Sequence, residues 1–212
     1  MFTLPTHETT LPALEKTVHI QPLTVRDEKV IAAAKRAGSK LDSYITFIEI
    51  LKDKIDIEVN TLSEVDLIHC MLHLRKISIG SVSKVNFVCP YTQERVDATI
   101  NLNDISLNGS KTKTTLRSNG FIVKLTLPKK IKDVESGIES IQTEEETIIV
   151  SELPDQQKKD LLDSLPIKVK NEISENLNDI LNYSYDVEYE TNQKHSIPLR
   201  SAEDFFTLFF VM

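Results

Sequence analysis

Chemistry in this chain would have to come from a few side chains. His69 and His73 stand four residues apart, the spacing that lets two imidazoles on a helix reach one metal, and Asp66 lies one turn earlier. The residue after His69 is Cys70, where a metalloprotease helix carries its glutamate, so hydrolytic zinc chemistry lacks its base. Cys70 beside two histidines is the other arrangement to weigh, a thiol enzyme working from the His69/Cys70/His73 helix face. Neighbours on one helix supply neither an oxyanion hole nor a third orienting group. The turn Val88-Cys89-Pro90-Tyr91-Thr92 has the form of one zinc-ribbon knuckle, but Thr92 occupies the place of its second thiolate. With Cys70 as the only other cysteine, four thiolates cannot be assembled. The reading is therefore no catalytic, cofactor-binding or metal residue. Replacing His69 and His73 with Gln is expected to change stability by less than about 1 kcal/mol, as at exposed positions.

The familiar phosphate and nucleophile motifs do not occur: there is no G-x-S-x-G, no Gly-rich dinucleotide turn and no Walker loop. A net charge of -7 with the two signs interspersed offers no basic surface for nucleic acid. No stretch approaches the roughly 18 apolar residues of a membrane span. The two cysteines read as reduced thiols of a soluble cytoplasmic protein. With 212 residues, 40% hydrophobic and 27% charged, the chain can bury a real core.

The elements that would position these groups follow from periodicity. Residues 3–12 have no period and read as an extended arm. Thr17 to Leu23 alternates as a strand, held to an edge by Pro22. Thr24 then caps a helix with Val30, Ile31, Ala33, Ala34 and Ala37 on one face, stopped at Gly38. A second helix spans Ser43 to Lys54. A third follows the Ser63 cap, with Val65, Leu67, Ile68, Met71, Leu72 and Leu74 on its apolar half, and with Asp66, His69, Cys70, His73 and Lys76 on its polar half. The period then becomes two. One hairpin runs from Val82 to Leu102, and Asn119-Gly120 closes a second between Lys113 and Leu127. Beyond Pro128 the chain reads as mainly helical, opening a helix at Pro154-Asp155 and broken at Pro166, with a late strand around Tyr183 to Tyr189. The expected class is α+β. The expected organisation is 1–80 as arm, strand and helices, 81–128 as hairpins and 129–212 as mainly helical, or one continuous domain.

Half of the eight phenylalanines fall in the last residues of the chain. On a helix, Phe205, Leu208 and Phe209 share one stripe, and Phe206 and Phe210 form an adjacent one. As an amphipathic helix the segment reads first as completing the core, since large apolar side chains are mostly buried; in the alternative reading one stripe packs inward and leaves the other exposed, which makes these five residues the candidate partner-binding site.

The N-terminal half also resembles a known family. Leu11-Pro12, the run from Val18-His19-Ile20-Gln21-Pro22 to Asp27-Glu28-Lys29, the stretch Arg75-Lys76-Ile77-Ser78-Ile79-Gly80 and the Cys89-Pro90 turn are similar to the baseplate hub assembly proteins of T-even-type contractile-tailed phages. Thr92 departs from the fuller cysteine knuckle of some relatives. The resemblance implies a viral late protein made in the host cytoplasm that helps build the tail baseplate hub. It implies contacts with other hub or tail proteins, and neither an enzyme nor a nucleic-acid binder.

Overall fold

The computed structural model describes residues 4–37, 40–109, 113–128, 134–190 and 194–210. Among them lie six α-helices and eleven strands in small antiparallel sheets, an α+β architecture. The chain forms two compact units, Met1–Asn108 with Ser184–Met212, and Gly109–Tyr183. These units cut across the three consecutive stretches expected from the sequence, because the second is inserted into the first and the chain returns to complete it.

The first unit opens with β1 (His7–Thr10) and β2 (Thr17–Ile20), an antiparallel hairpin. The expected extended arm is thus a strand. Its connection is closed by the Leu11 amide to the Lys16 carbonyl at 2.9 Å, with Glu15 at φ 53°. Leu11, Ala13, Val18 and Ile20 are the residues this hairpin buries. Helix α1 (Val25–Ala37) starts from reciprocal bonds: the Thr24 amide donates to Asp27 Oδ2 at 2.7 Å, and the Asp27 amide donates to Thr24 Oγ1 at 3.2 Å. Lys54 closes on the same carboxylate at 2.8 Å. Ile31 is buried, whereas Val30 and Ala33 stay exposed, so the expected alanine face is only partly covered. The expected stop at Gly38 lies outside the described residues.

Helix α2 (Lys40–Lys52) packs against α1, and α3 (Glu64–Ser78) follows the Ser63 cap. Strands β3 (Val82–Val88) and β4 (Arg95–Asn101) pair in full register from Val82 opposite Asn101 to Val88 opposite Arg95. The short β5 (Leu107–Gly109) comes next.

In the second unit, β6 (Lys113–Ser118), β7 (Phe121–Thr126), β8 (Ile138–Gln142) and β9 (Thr147–Ile149) form one antiparallel sheet in that order. Asn119 at φ 49° and Gly120 at φ 80° make the tight turn that their dipeptide signals. Helices α4 (Asp155–Ser164) and α5 (Ile167–Leu181) follow, with Val169, Ile173, Leu177 and Ile180 as the buried stripe of α5. That helix lies on β6 and β7.

Back in the first unit, β10 (Tyr183–Glu190) and β11 (Lys194–Leu199) pair, and β5 joins β10 on its other side. Helix α6 (Ala202–Phe210) ends the described chain. Beyond Pro128 the chain carries the expected helices α4, α5 and α6 and the late strand β10, together with three strands, β8, β9 and β11, that periodicity did not signal. Ile138 and Ile141 are both buried although three residues apart, a helical spacing, because the β7–β8 register shifts between Lys124 and Leu125. Pro198 argues against a strand, yet β11 is the outer strand of its sheet, where a missing amide is tolerated. Among the described residues no helix is long and apolar enough to cross a membrane.

Candidate interaction site

The aromatic C-terminal helix is fixed at its start. The Ser201 and Asp204 side chains cap α6 reciprocally: the Ser201 amide donates to Asp204 Oδ2 at 3.2 Å, and the Asp204 amide donates to Ser201 Oγ at 3.1 Å. The Ala202 amide also donates to Glu64 Oε2 at 2.8 Å, which ties the start of α6 to the start of α3. Burial raises the Glu64 carboxyl above its usual range, with Asp204 and Glu203 adding repulsion against the Ala202 hydrogen bond.

Phe205 and Phe206 are fully buried and Phe209 nearly so, while Leu208 and Phe210 are half-buried. Phe206 meets Phe47 at 5.2 Å and Tyr44 at 5.7 Å between ring centroids, and Phe210 meets Phe47 at 4.7 Å. Of the two readings of this segment, Phe206 follows the one that completes the core, and the alternative in which Phe206 and Phe210 form an exposed stripe is corrected. Helix α6 contacts both α2 and α3, so its wide apolar arc is used by two neighbours of the same unit. What remains open on this segment is part of Leu208 and part of Phe210.

The half of α3 read as polar is also largely enclosed. Cys70 has no exposed surface, and burial pushes its thiol up to about 12, with the Asp66 charge adding to the effect. A thiol held protonated in this way offers no nucleophile to solvent. Asp66 is buried too, accepting from the Ala13 amide at 2.8 Å and from the Ser63 hydroxyl at 2.9 Å. It fastens the N-terminal hairpin to the start of α3.

His69 is half-buried, with Nε2 sharing a hydrogen bond with Thr9 Oγ1 at 2.9 Å and Nδ1 with Tyr185 Oη at 3.4 Å. Burial lowers its pKa to about 4, with repulsion from His73 and Lys76 in the same direction. His73 is lowered as well, by burial first and then by Lys76 and His7. Its Nε2 is buried with no hydrogen-bond partner among the described residues. The solvated-face expectation for His69 and His73 is thus corrected. The helix faces the β1–β2 hairpin, which a single helical wheel cannot show. Among the described residues no group of three potential metal ligands forms.

At the β3–β4 turn, Cys89 is buried with Val96 and Tyr189. Its Sγ receives the Thr92 amide at 3.4 Å and lies 2.9 Å from Tyr189 Oη. Burial opposes ionisation, but the hydrogen bonds from Thr92 and Tyr189 outweigh it and bring the thiol to about 7. The Tyr189 hydroxyl moves up to about 12, through burial and the adjacent sulfur. His195 stacks between Tyr91 and Tyr189, at 5.3 and 5.4 Å. Thr92 supplies the turn with a backbone donor where a knuckle would supply a second thiolate.

One group escaped the sequence reading. Arg75 is only 7% exposed and lines a cavity of about 310 Å³ with Ile31, Phe209 and Phe210. Position 75 lies on a helix beside the half-buried Lys76, and nothing in its spacing signals burial.

The family model described as T4 bacteriophage base plate protein matches residues 4–207. Among curated proteins and solved structures nothing matches the chain.

Proposed function

The chain belongs to the T4 bacteriophage base plate protein family, and from that membership we propose that it is a hub assembly factor or minor hub component that works through protein contacts and not as an enzyme. The observation that carries the reading is the family match over nearly the whole chain, residues 4–207. A baseplate protein acts by holding other tail proteins, so its partners are hub or tail proteins met in the host cytoplasm. The state of the candidate chemistry supports the non-enzymatic part: Cys70 is enclosed and protonated, and both His69 and His73 are turned to the hairpin. The net charge of -7 favours protein over nucleic acid as partner.

The test is co-expression of the tagged chain with the baseplate proteins of its phage, with gentle purification and mass spectrometry of what comes with it. The expected result is a stoichiometric complex with a hub protein. Recovery of the chain alone, together with normal tails from a phage lacking it, would overturn the reading. Detection in purified finished particles separates a component from a factor that leaves.

A further inference from the structure

Strand β3 is paired on one side only. Its ladder with β4 is framed by the Leu102 amide donating to the Ser81 carbonyl at 2.7 Å and by the Cys89 amide donating to the Glu94 carbonyl at 2.8 Å. Backbone groups alternate in direction along an antiparallel strand, so the odd-numbered residues of β3 bond β4, and the amides and carbonyls of Lys84, Asn86 and Val88 point away from it. Among the described residues no strand takes them. Such a row of unmatched donors and acceptors is a template for one more strand.

A groove of about 620 Å³ lies against this edge, with Asn86 and Val88 on one side and β11 on the other. Strand β11 is a poor template, because Pro198 has no amide and the Ser196 carbonyl already accepts from the Tyr91 hydroxyl at 3.1 Å. Ile197, Leu199 and the open part of Leu208 give the groove apolar walls. Its charge is one-sided. Glu203 and Asp204 at the start of α6 line it, and no basic side chain does. Glu203 is exposed and forms no ion pair among the described residues. The field of the two carboxylates is felt nearby, since after burial both add to the upward shift of the Glu64 carboxyl. We propose that this groove takes an extended segment of a partner protein, which adds to the free edge of β3 as a further strand and sets a lysine or arginine against Glu203 and Asp204, with an apolar side chain against Ile197 and Leu208. Main-chain pairing supplies affinity, and the carboxylates select a basic segment over an acidic one. This deepens the reading of the chain as a protein that works through contacts, and rests on it for the identity of the partner as a baseplate protein.

Two arms test the groove and the partner separately. In the first, the purified full chain is titrated with the acetylated and amidated peptide Thr-Val-Lys-Val-Arg-Val-Thr, while NMR follows hydrogen exchange at the Asn86 and Val88 amides. Both should slow about tenfold at about 90% occupancy. The peptide with Glu in place of Lys and Arg should bind about tenfold more weakly, and Glu203→Lys should remove that preference. Val88→Pro takes away an outward amide and no bond to β4, and should abolish the protection of Asn86. In the second arm, the complex recovered with baseplate proteins should be weakened about tenfold or more by either variant, with the urea midpoints close to that of the wild type. If Val88→Pro unfolds, Glu203→Lys, a change at an exposed side chain, carries both arms. Amides that stay unprotected overturn the strand addition. Equal affinity for the two peptides overturns the choice of a basic segment. Protection by the peptide with a complex undiminished in both variants overturns the role in docking. Concentration-dependent self-association abolished by either variant assigns the edge to a second copy and overturns the partner. Absence of any complex for the wild-type chain counts against the hub reading, and the peptide arm then decides the groove by itself.

Discussion

Acid should loosen the attachment of the N-terminal hairpin to α3 through His69, and the size of the effect follows from its surroundings. The ring is held neutral down to about pH 4 in the folded chain, against 6.5 in an unfolded one. Between those values the unfolded state binds the proton more readily, so stability is complete above about pH 6.5 and falls as pH drops toward 4. The full shift corresponds to at most about 3 kcal/mol, of which about 2 kcal/mol is lost between pH 7 and pH 5. The ring's residual solvent contact makes these upper figures. The assay is urea unfolding of the wild type and His69→Gln at both pH values. Carboxylates below their usual range, such as Asp27 and Asp56, also lose stability in acid, but they are common to both proteins and cancel in the difference. Gln at this position should cost about 1 kcal/mol at pH 7 through altered bonds to Thr9 and Tyr185. From pH 7 to pH 5 the variant should then lose about 2 kcal/mol less than the wild type. Equal losses, or a His69 ring titration with a midpoint near 6.5, would show that the ring is solvated in the folded chain and refute the reasoning.

Other substitutions probe the packing. Phe206→Ala should destabilise by about 3–5 kcal/mol in urea unfolding, since the ring is fully buried against Tyr44 and Phe47, while Phe210→Ser should cost clearly less. Equal costs would mean that the two rings are equally enclosed. Gly137→Ala should cost about 1–3 kcal/mol, because a Cβ there would lie 2.6 Å from Leu177 Cδ2 and 3.0 Å from the Thr126 carbonyl oxygen. An unchanged melting temperature would show that Leu177 can move aside. Gly120→Ala should cost about 1–2 kcal/mol from its φ of 80° alone, since no atom lies within 4 Å of the added carbon, and no loss would mean the turn relaxes.

The sequence by itself determined the local elements. The Ser63 cap and leucine spacing define α3, the two-residue period defines β3 and β4, and Asn119-Gly120 sets the β6–β7 turn, because each depends on forces between near neighbours. The resemblance carried by Leu11 to Lys29 and by Arg75 to Gly80 pointed to a phage baseplate protein, and the family match bears this out. What only the tertiary structure decided is which faces are covered, and by what. A helical wheel divides α3 into apolar and polar halves, but the polar one is also covered: Ala13 bonds Asp66, Thr9 and Tyr185 meet His69, and Cys70 is fully buried. The same holds for α6, where the sequence left the phenylalanine cluster open between core and interface until α2 and α3 together supplied two walls. A bulge hid β8 and an edge position excused Pro198, since register and strand order are properties of pairing between distant segments. Arg75 is the clearest case: its type predicts solvent, and only the packing of residues distant in sequence, α1 on one side and Phe209 and Phe210 on the other, turns it into a buried charge at the base of a cavity.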